Sequence, residues 1–201
     1  MTKLTPAEIQ DLLKGTVLFR QLSQPMRCWA IVGCYIGHFA LLELAVSSAL
    51  RMLLDLDSLA TAIFARNMGM IEKVQAVRTL VNIAAPTNAK ATLNDLLKRA
   101  KSAAEERNIV AHVPFGESET GGVQFHAVDA KGTFRATVLE WSLEASIDKI
   151  DELREIKIGL NSERSKAAFD DTRRVKKGSP RTMEEWLREL GLPPSAAPSA
   201  E

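Results

Sequence analysis

Apolar residues recur every three or four positions over most of this chain, and one stretch alternates instead. The first helical pattern opens with a capping box of Thr5 and Glu8. Pro6 takes its first position, and Ile9, Leu12, Leu13 and Val17 form its apolar face. A long second helix is predicted from about Met26 to Leu54, with Gly33 and Gly37 as places where it can bend. Asp57 or Ser58 caps a shorter helix through "LATAIFARN". After Gly69 the segment "MIEKVQAVRTLV" sets Ile71, Val74, Val77 or Arg78, and Val81 at helical spacing, and "AAPTN" breaks it. Thr87 or Asn88 then caps a helix whose face runs through Leu93, Leu96, Leu97, Ala100 and Ala104 to Arg107 and Ala111. Val113 precedes Pro114, which pushes it out of helical geometry, so this helix ends near His112.

The period then changes to two. "GGVQFHAV" and "TFRATVLEW", joined by "DAKG", predict a β-hairpin at about residues 121–141. Ser142 caps a last long helix with Leu143, Ile147, Ile150 and Leu153 turned inward. The fold class is all-α: a bundle of about five helices with one β-hairpin before the last long helix. Residues 1–165 form this helical domain. Residues 166–201 read as a polar linker, a short amphipathic helix at about 180–190, and a disordered tail. In that short helix Met183, Trp186, Leu187 and Leu190 share a stripe, which either folds back on the bundle or docks a partner protein as a helix in a groove.

Composition narrows the functional classes. Of 201 residues, 46% are hydrophobic and 25% charged, the balance of a globular chain. The net charge of +1 gives no overall attraction to a polyanion, so any RNA-binding surface must be local. The apolar run between Arg27 and Arg51 is long enough to span a bilayer. Glu43 stands in the middle of it, and Glu43, Ser47 and Arg51 recur every fourth residue as a polar stripe, which predicts a core helix and no membrane span. Cys28 and Cys34 match no zinc spacing and read as buried thiols of a reducing compartment. The N-terminus carries no leader pattern, and the expected location is the cytoplasm.

The candidate chemistry lies in "RNIVAH". Asn108 and His112, four apart, share a helix face, whereas Arg107 and His112 stand roughly 140° apart around the helix. They converge only through arginine's length, a distorted last turn, or a second copy of the chain. The guanidinium of Arg107 suits phosphate oxygens, His112 can exchange protons near neutral pH, and Asn108 can orient either an imidazole or a ligand hydroxyl. Together they suit cleavage of an RNA phosphodiester by its own 2′-hydroxyl. No metal-ligand cluster accompanies them, and no cofactor is expected. Basic residues in a last helical turn also occur for capping alone, and composition by itself favours that reading.

The string from Arg107 through Asn108 to His112 resembles the signature of the HEPN superfamily: an Arg, a polar residue, three further residues and a His. Its place also resembles the family, at the end of a late helix of a helical bundle that holds a long apolar helix with an acidic residue, here Glu43. The motif covers six residues, and the looser bundle resemblance covers roughly residues 5–160. The hairpin resembles variants of the family rather than its minimal four-helix form. The resemblance implies a homodimer in which two motifs face each other across one cleft. It also implies a metal-independent endoribonuclease of the toxin–antitoxin, phage-defence or RNA-processing kind, with Arg107, Asn108 and His112 as its catalytic set. Other members have lost activity and serve as interaction or scaffold domains, the alternative reading, in which Arg107 bonds to Glu43 inside the bundle.

The remaining candidates have plainer readings beside functional ones. Arg173, Arg174, Lys176 and Lys177, with Arg181, form a basic run that can hold an RNA backbone or simply be solvated; no aromatic residues interleave it for base stacking. His38 reads as a hydrogen-bonded core residue, His126 as solvent-facing, and Lys73 as a solvated lysine.

Overall fold

The computed structural model describes residues 16–57, 67–129 and 135–178, with residues 59, 61 and 63 between the first two stretches. Among the described residues the protein is mainly α-helical: six helices in a bundle, with a small three-stranded antiparallel sheet. The helices are α1 (Thr16–Gln21), α2 (Gln24–Leu54), α3 (Met70–Ala84), α4 (Thr87–His112), α5 (Leu143–Asn161) and α6 (Glu163–Gly178). The strands are β1 (Phe115–Glu117), β2 (Val123–Asp129) and β3 (Arg135–Trp141). The capping box at Thr5, the hairpin turn and the stripe from Met183 to Leu190 lie outside the described residues.

Helix α2 is the axis of the bundle, and α3, α4, α5 and α6 all pack on it. It runs unbroken through Gly33 and Gly37. Its inward face, from Ile31 and Tyr35 through Phe39, Leu42, Val46 and Leu50 to Leu53, follows the 3.6-residue period and is buried. The helix is long and apolar enough to cross a membrane by length and composition alone. It ends where Asp55 adopts a left-handed conformation, φ 56°, which an aspartate tolerates better than most side chains.

Val74, Val77 and Val81 on α3 meet Leu93, Leu97 and Ala100 on α4 within one core. Arg78 is exposed, which settles the inward position in favour of Val77. Helix α4 starts differently from the sequence expectation. Pro86 holds the cap position without a side-chain bond, and Thr87 is already helical. Ser142 does cap α5, accepting a bond from the Ala145 amide at 3.1 Å.

Two further differences concern length and polarity. β1 extends the hairpin by a third strand, pairing Phe115 with Phe125, yet three residues are too few to display a period of two. Residues 166–178, read from their polarity as part of a linker, belong to α6. Its Ala168, Phe169 and Thr172 are buried against the bundle, a face too narrow to stand out in so charged a segment.

The sheet closes one end of the bundle. Phe125 and Trp141 turn inward with ring centroids 5.0 Å apart, and Trp141 lies 5.3 Å from Tyr35 of α2. Gly122 permits this closure, because a Cβ there would sit 2.0 Å from the Trp141 carbonyl oxygen. Phe115 meets Trp29 edge-on at 4.9 Å, so the end of α4 and the first strand are held against the start of α2.

Candidate functional site

The end of α4 and the middle of α2 enclose an open cleft of about 370 Å³, with the start of α3 as its third wall. Arg107 and Asn108 come from α4, Phe39 and Glu43 from α2, and Gly69, Ile71 and Glu72 from the entry to α3. The last helical turn ends as the Val113–Pro114 pair requires: Val113 has φ −102° and ψ 133°, extended rather than helical. The final turn of α4 buries Val110, whereas Ala111, expected on the inward face, is exposed.

Arg107 is half-buried, with its guanidinium carbon 5.8 Å from the centre of the Phe39 ring, within cation–π range. Among the described residues its guanidinium makes no ion pair and no hydrogen bond. Glu43, the carboxylate that could have taken it, is bound elsewhere: Lys73 of α3 donates to Glu43 Oε1 at 2.7 Å. Lys73 is therefore not a solvated lysine, since only 3% of it is exposed. A buried ammonium requires a compensating charge, and Glu43 on the facing helix supplies it. The stripe of Glu43, Ser47 and Arg51 is split accordingly: Glu43 is half-buried, Ser47 buried and Arg51 exposed.

His112 is exposed one turn beyond Asn108 and does not line the cleft. Within one chain the structure thus brings Arg107 and Asn108 together but leaves His112 outside. Among the described residues the cleft also carries two carboxylates, Glu43 and Glu72, beside the Arg107 guanidinium.

A part-buried polar cluster joins α2, α4 and α5. Tyr35 donates to the Ala103 carbonyl at 3.3 Å and to Glu106 Oε2 at 3.4 Å, and Lys149 of α5 pairs with Glu106. Burial, reinforced by the Glu106 carboxylate, pushes the Tyr35 phenol far above its usual range, so it acts as a fixed donor. Nothing in the sequence separated Glu106 from the other charged residues of α4. Its partners are 71 and 43 positions away.

The other sequence candidates fall as follows. His38 does not read as a hydrogen-bonded core residue: among the described residues its buried Nδ1 has no hydrogen-bond partner, and burial, aided by Arg154 and Lys157, lowers its pKa. His126 faces solvent on β2. Cys28 is buried, its thiol donating to the Gly122 carbonyl at 3.3 Å, whereas Cys34 is exposed rather than buried. Arg173 is engaged by Asp55 at 3.0 Å and by Asp170 at 3.3 Å. Arg174, Lys176 and Lys177 continue α6 in backbone, and their side chains lie outside the described residues. Among the described residues no three His, Cys, Asp or Glu side chains gather as a metal site.

No protein-family model, curated protein or solved structure matches this chain. The functional reading therefore rests on the cleft and on the residues that build it.

Proposed function

We propose that the protein is a HEPN-like, metal-independent endoribonuclease that works as a homodimer, in a toxin or phage-defence setting. The observation that supports it is the Lys73–Glu43 pair. It engages one of the cleft's two carboxylates and leaves the Arg107 guanidinium on the open cleft with no ion pair or hydrogen bond among the described residues. An arginine kept only for packing would satisfy its donors within the fold.

In this reading Arg107 holds a phosphodiester through paired N–H donors, and Asn108 fixes a neighbouring ribose hydroxyl or the imidazole. His112 removes the proton from the 2′-oxygen, which attacks the adjacent phosphorus. The bond from phosphorus to the 5′-oxygen breaks, and that oxygen takes up the proton from the imidazolium so formed. The products are a 2′,3′-cyclic phosphate and a free 5′-hydroxyl. Arg107 offsets the charge that builds on the phosphoryl oxygens in between.

A second reading is favoured by the placement of Glu43 and Glu72 in the cleft and of His112 outside it. There the protein is a non-catalytic HEPN-like interaction domain, docking a partner through Met183, Trp186, Leu187 and Leu190. Incubating a mixed RNA pool with wild type, Arg107→Ala and His112→Ala in EDTA separates the two. Cuts ending in 2′,3′-cyclic phosphate, reduced about a hundredfold or more in both variants, are expected. Equal cutting by all three proteins, or none by wild type, sinks the ribonuclease reading.

A further inference from the structure

Gly69 stands at the entry to α3 as its cap residue, with φ −68° and ψ 166°. That conformation is open to any residue, so the backbone does not require a glycine. What the missing side chain provides is room: a Cβ there would run into the Glu72 carboxylate. Gly69 and Glu72 both line the cleft, and the glycine seats that carboxylate on its wall. An acid in the first turn is also favoured by the helix dipole, but that holds without a glycine beneath it.

Glu43 is engaged and Glu72 is not. Lys73 takes up Glu43 at 2.7 Å, whereas Glu72 is exposed and, among the described residues, makes no ion pair or hydrogen bond, with Arg107 or any other. One cleft of about 370 Å³ thus holds a guanidinium and a carboxylate that do not meet. Its volume lies within the range of small-ligand sites. A ligand that engages both must carry an anion at one end and N–H donors at the other.

Carboxylate oxygens only accept, and the two together match a pair of parallel N–H groups. Among the bases of an unpaired ribonucleotide, guanine alone offers such a pair on its Watson–Crick edge, at N1 and at the 2-amino group. In adenine and cytosine the amino group stands beside a ring-nitrogen lone pair. In uracil the N–H stands between two carbonyls. Each of those acceptors repels the second carboxylate oxygen.

We propose that the cleft binds a guanine ribonucleotide, with Glu72 accepting from N1–H and the 2-amino group while Arg107 holds the phosphate. Asn108, beside Arg107 on α4, supplies an amide for the ribose hydroxyls, and the half-buried Ile71 gives the base an apolar wall. The proposal takes from the reading above only Arg107 as a phosphate holder. Where the phosphate belongs to RNA, the site selects a guanosine next to the phosphodiester that Arg107 holds. A free guanine nucleotide presents the same groups.

Isothermal titration of the full chain with guanosine, adenosine, cytidine and uridine 3′-monophosphates tests this, beside Glu72→Gln, Gly69→Ala and Arg107→Ala, each checked as folded by thermal unfolding. Wild type is expected to bind the guanine nucleotide about tenfold or more tighter than the other three. Glu72→Gln should erase that preference without weakening the other three, because it removes the acceptor pair together with a negative charge near the phosphate. Gly69→Ala keeps the charge but displaces the carboxylate, and should lower the preference too. Arg107→Ala should weaken all four alike. A wild type that binds none of the four or all equally overturns the inference, as does a guanine preference that survives in Glu72→Gln. Two further titrants separate the sources of the ligand. A guanosine-containing oligoribonucleotide binding tighter than guanosine 5′-diphosphate supports the site as one for RNA, and the reverse supports it as one for a free nucleotide. Guanine selectivity in a protein that cuts no RNA keeps this site and removes only the ribonuclease reading. RNA cutting with no preference at guanosine keeps that reading and overturns this site.

Discussion

Lys73 and Glu43 form an ion pair of 2.7 Å across α3 and α2, with the lysine side chain 4% exposed and the carboxylate 39% exposed. One member is sealed in the core and the other opens onto the cleft, so the pair joins the fold to the site. Glu43→Gln leaves a buried ammonium with a neutral partner. It should cost about 1–3 kcal/mol in urea unfolding, more than an exposed ion pair contributes. A change under a few tenths of a kcal/mol would mean that Lys73 finds another partner.

Lys73→Met is the complementary change. It removes the buried charge together with its desolvation cost, so stability should change little. Glu43 would then be free to turn onto Arg107, and RNA cleavage should fall while the fold persists. Retained cleavage in a folded Lys73→Met protein would show that Glu43 does not compete for Arg107.

Helix α6 provides a test of the fold itself. Phe169 is 1% exposed and belongs to the core. Phe169→Ala should therefore cost about 3–5 kcal/mol, measured by thermal or denaturant unfolding. A segment that only linked two parts would show no loss.

His38 makes stability depend on pH. Its imidazole is depressed by burial and by Arg154 and Lys157 on α5, with Asp151 on the same helix opposing them. Below about pH 6.5 the unfolded chain takes up this proton while the folded chain resists it. Folding stability should then fall as pH drops from 7 to 5, and His38→Gln should flatten that part of the profile. Parallel slopes for the two proteins would show that His38 titrates alike folded and unfolded.

Much of this architecture can be read from the chain, and the exceptions share a cause. Helix α4 ends at His112 because Pro114 acts through the residue before it, a local effect. The cap at Ser142 and the alternation of β2 are likewise local, as are the buried valines of α3. What escaped depended on distant partners. Lys73 looks like any surface lysine until Glu43, 30 positions away, faces it. Arg173 sits in a basic run whose charge is taken up by Asp55, 118 positions away. Arg107 and Asn108 were legible as a pair, but the absence of His112 from their cleft was not. The ideal helix already set Arg107 and His112 on different faces, and only the packing shows that no distortion reunites them.

The central claim is that two chains complete one site, and a mixed dimer tests it most directly. Arg107→Ala and His112→Ala chains, differently tagged, co-expressed and purified as the heterodimer, are assayed on RNA in EDTA beside the two mutant homodimers and wild type. The account predicts inactive homodimers and a heterodimer that cuts, because one composite site keeps both Arg107 and the partner's His112. A heterodimer as inactive as its parents, beside an active wild type, would contradict it.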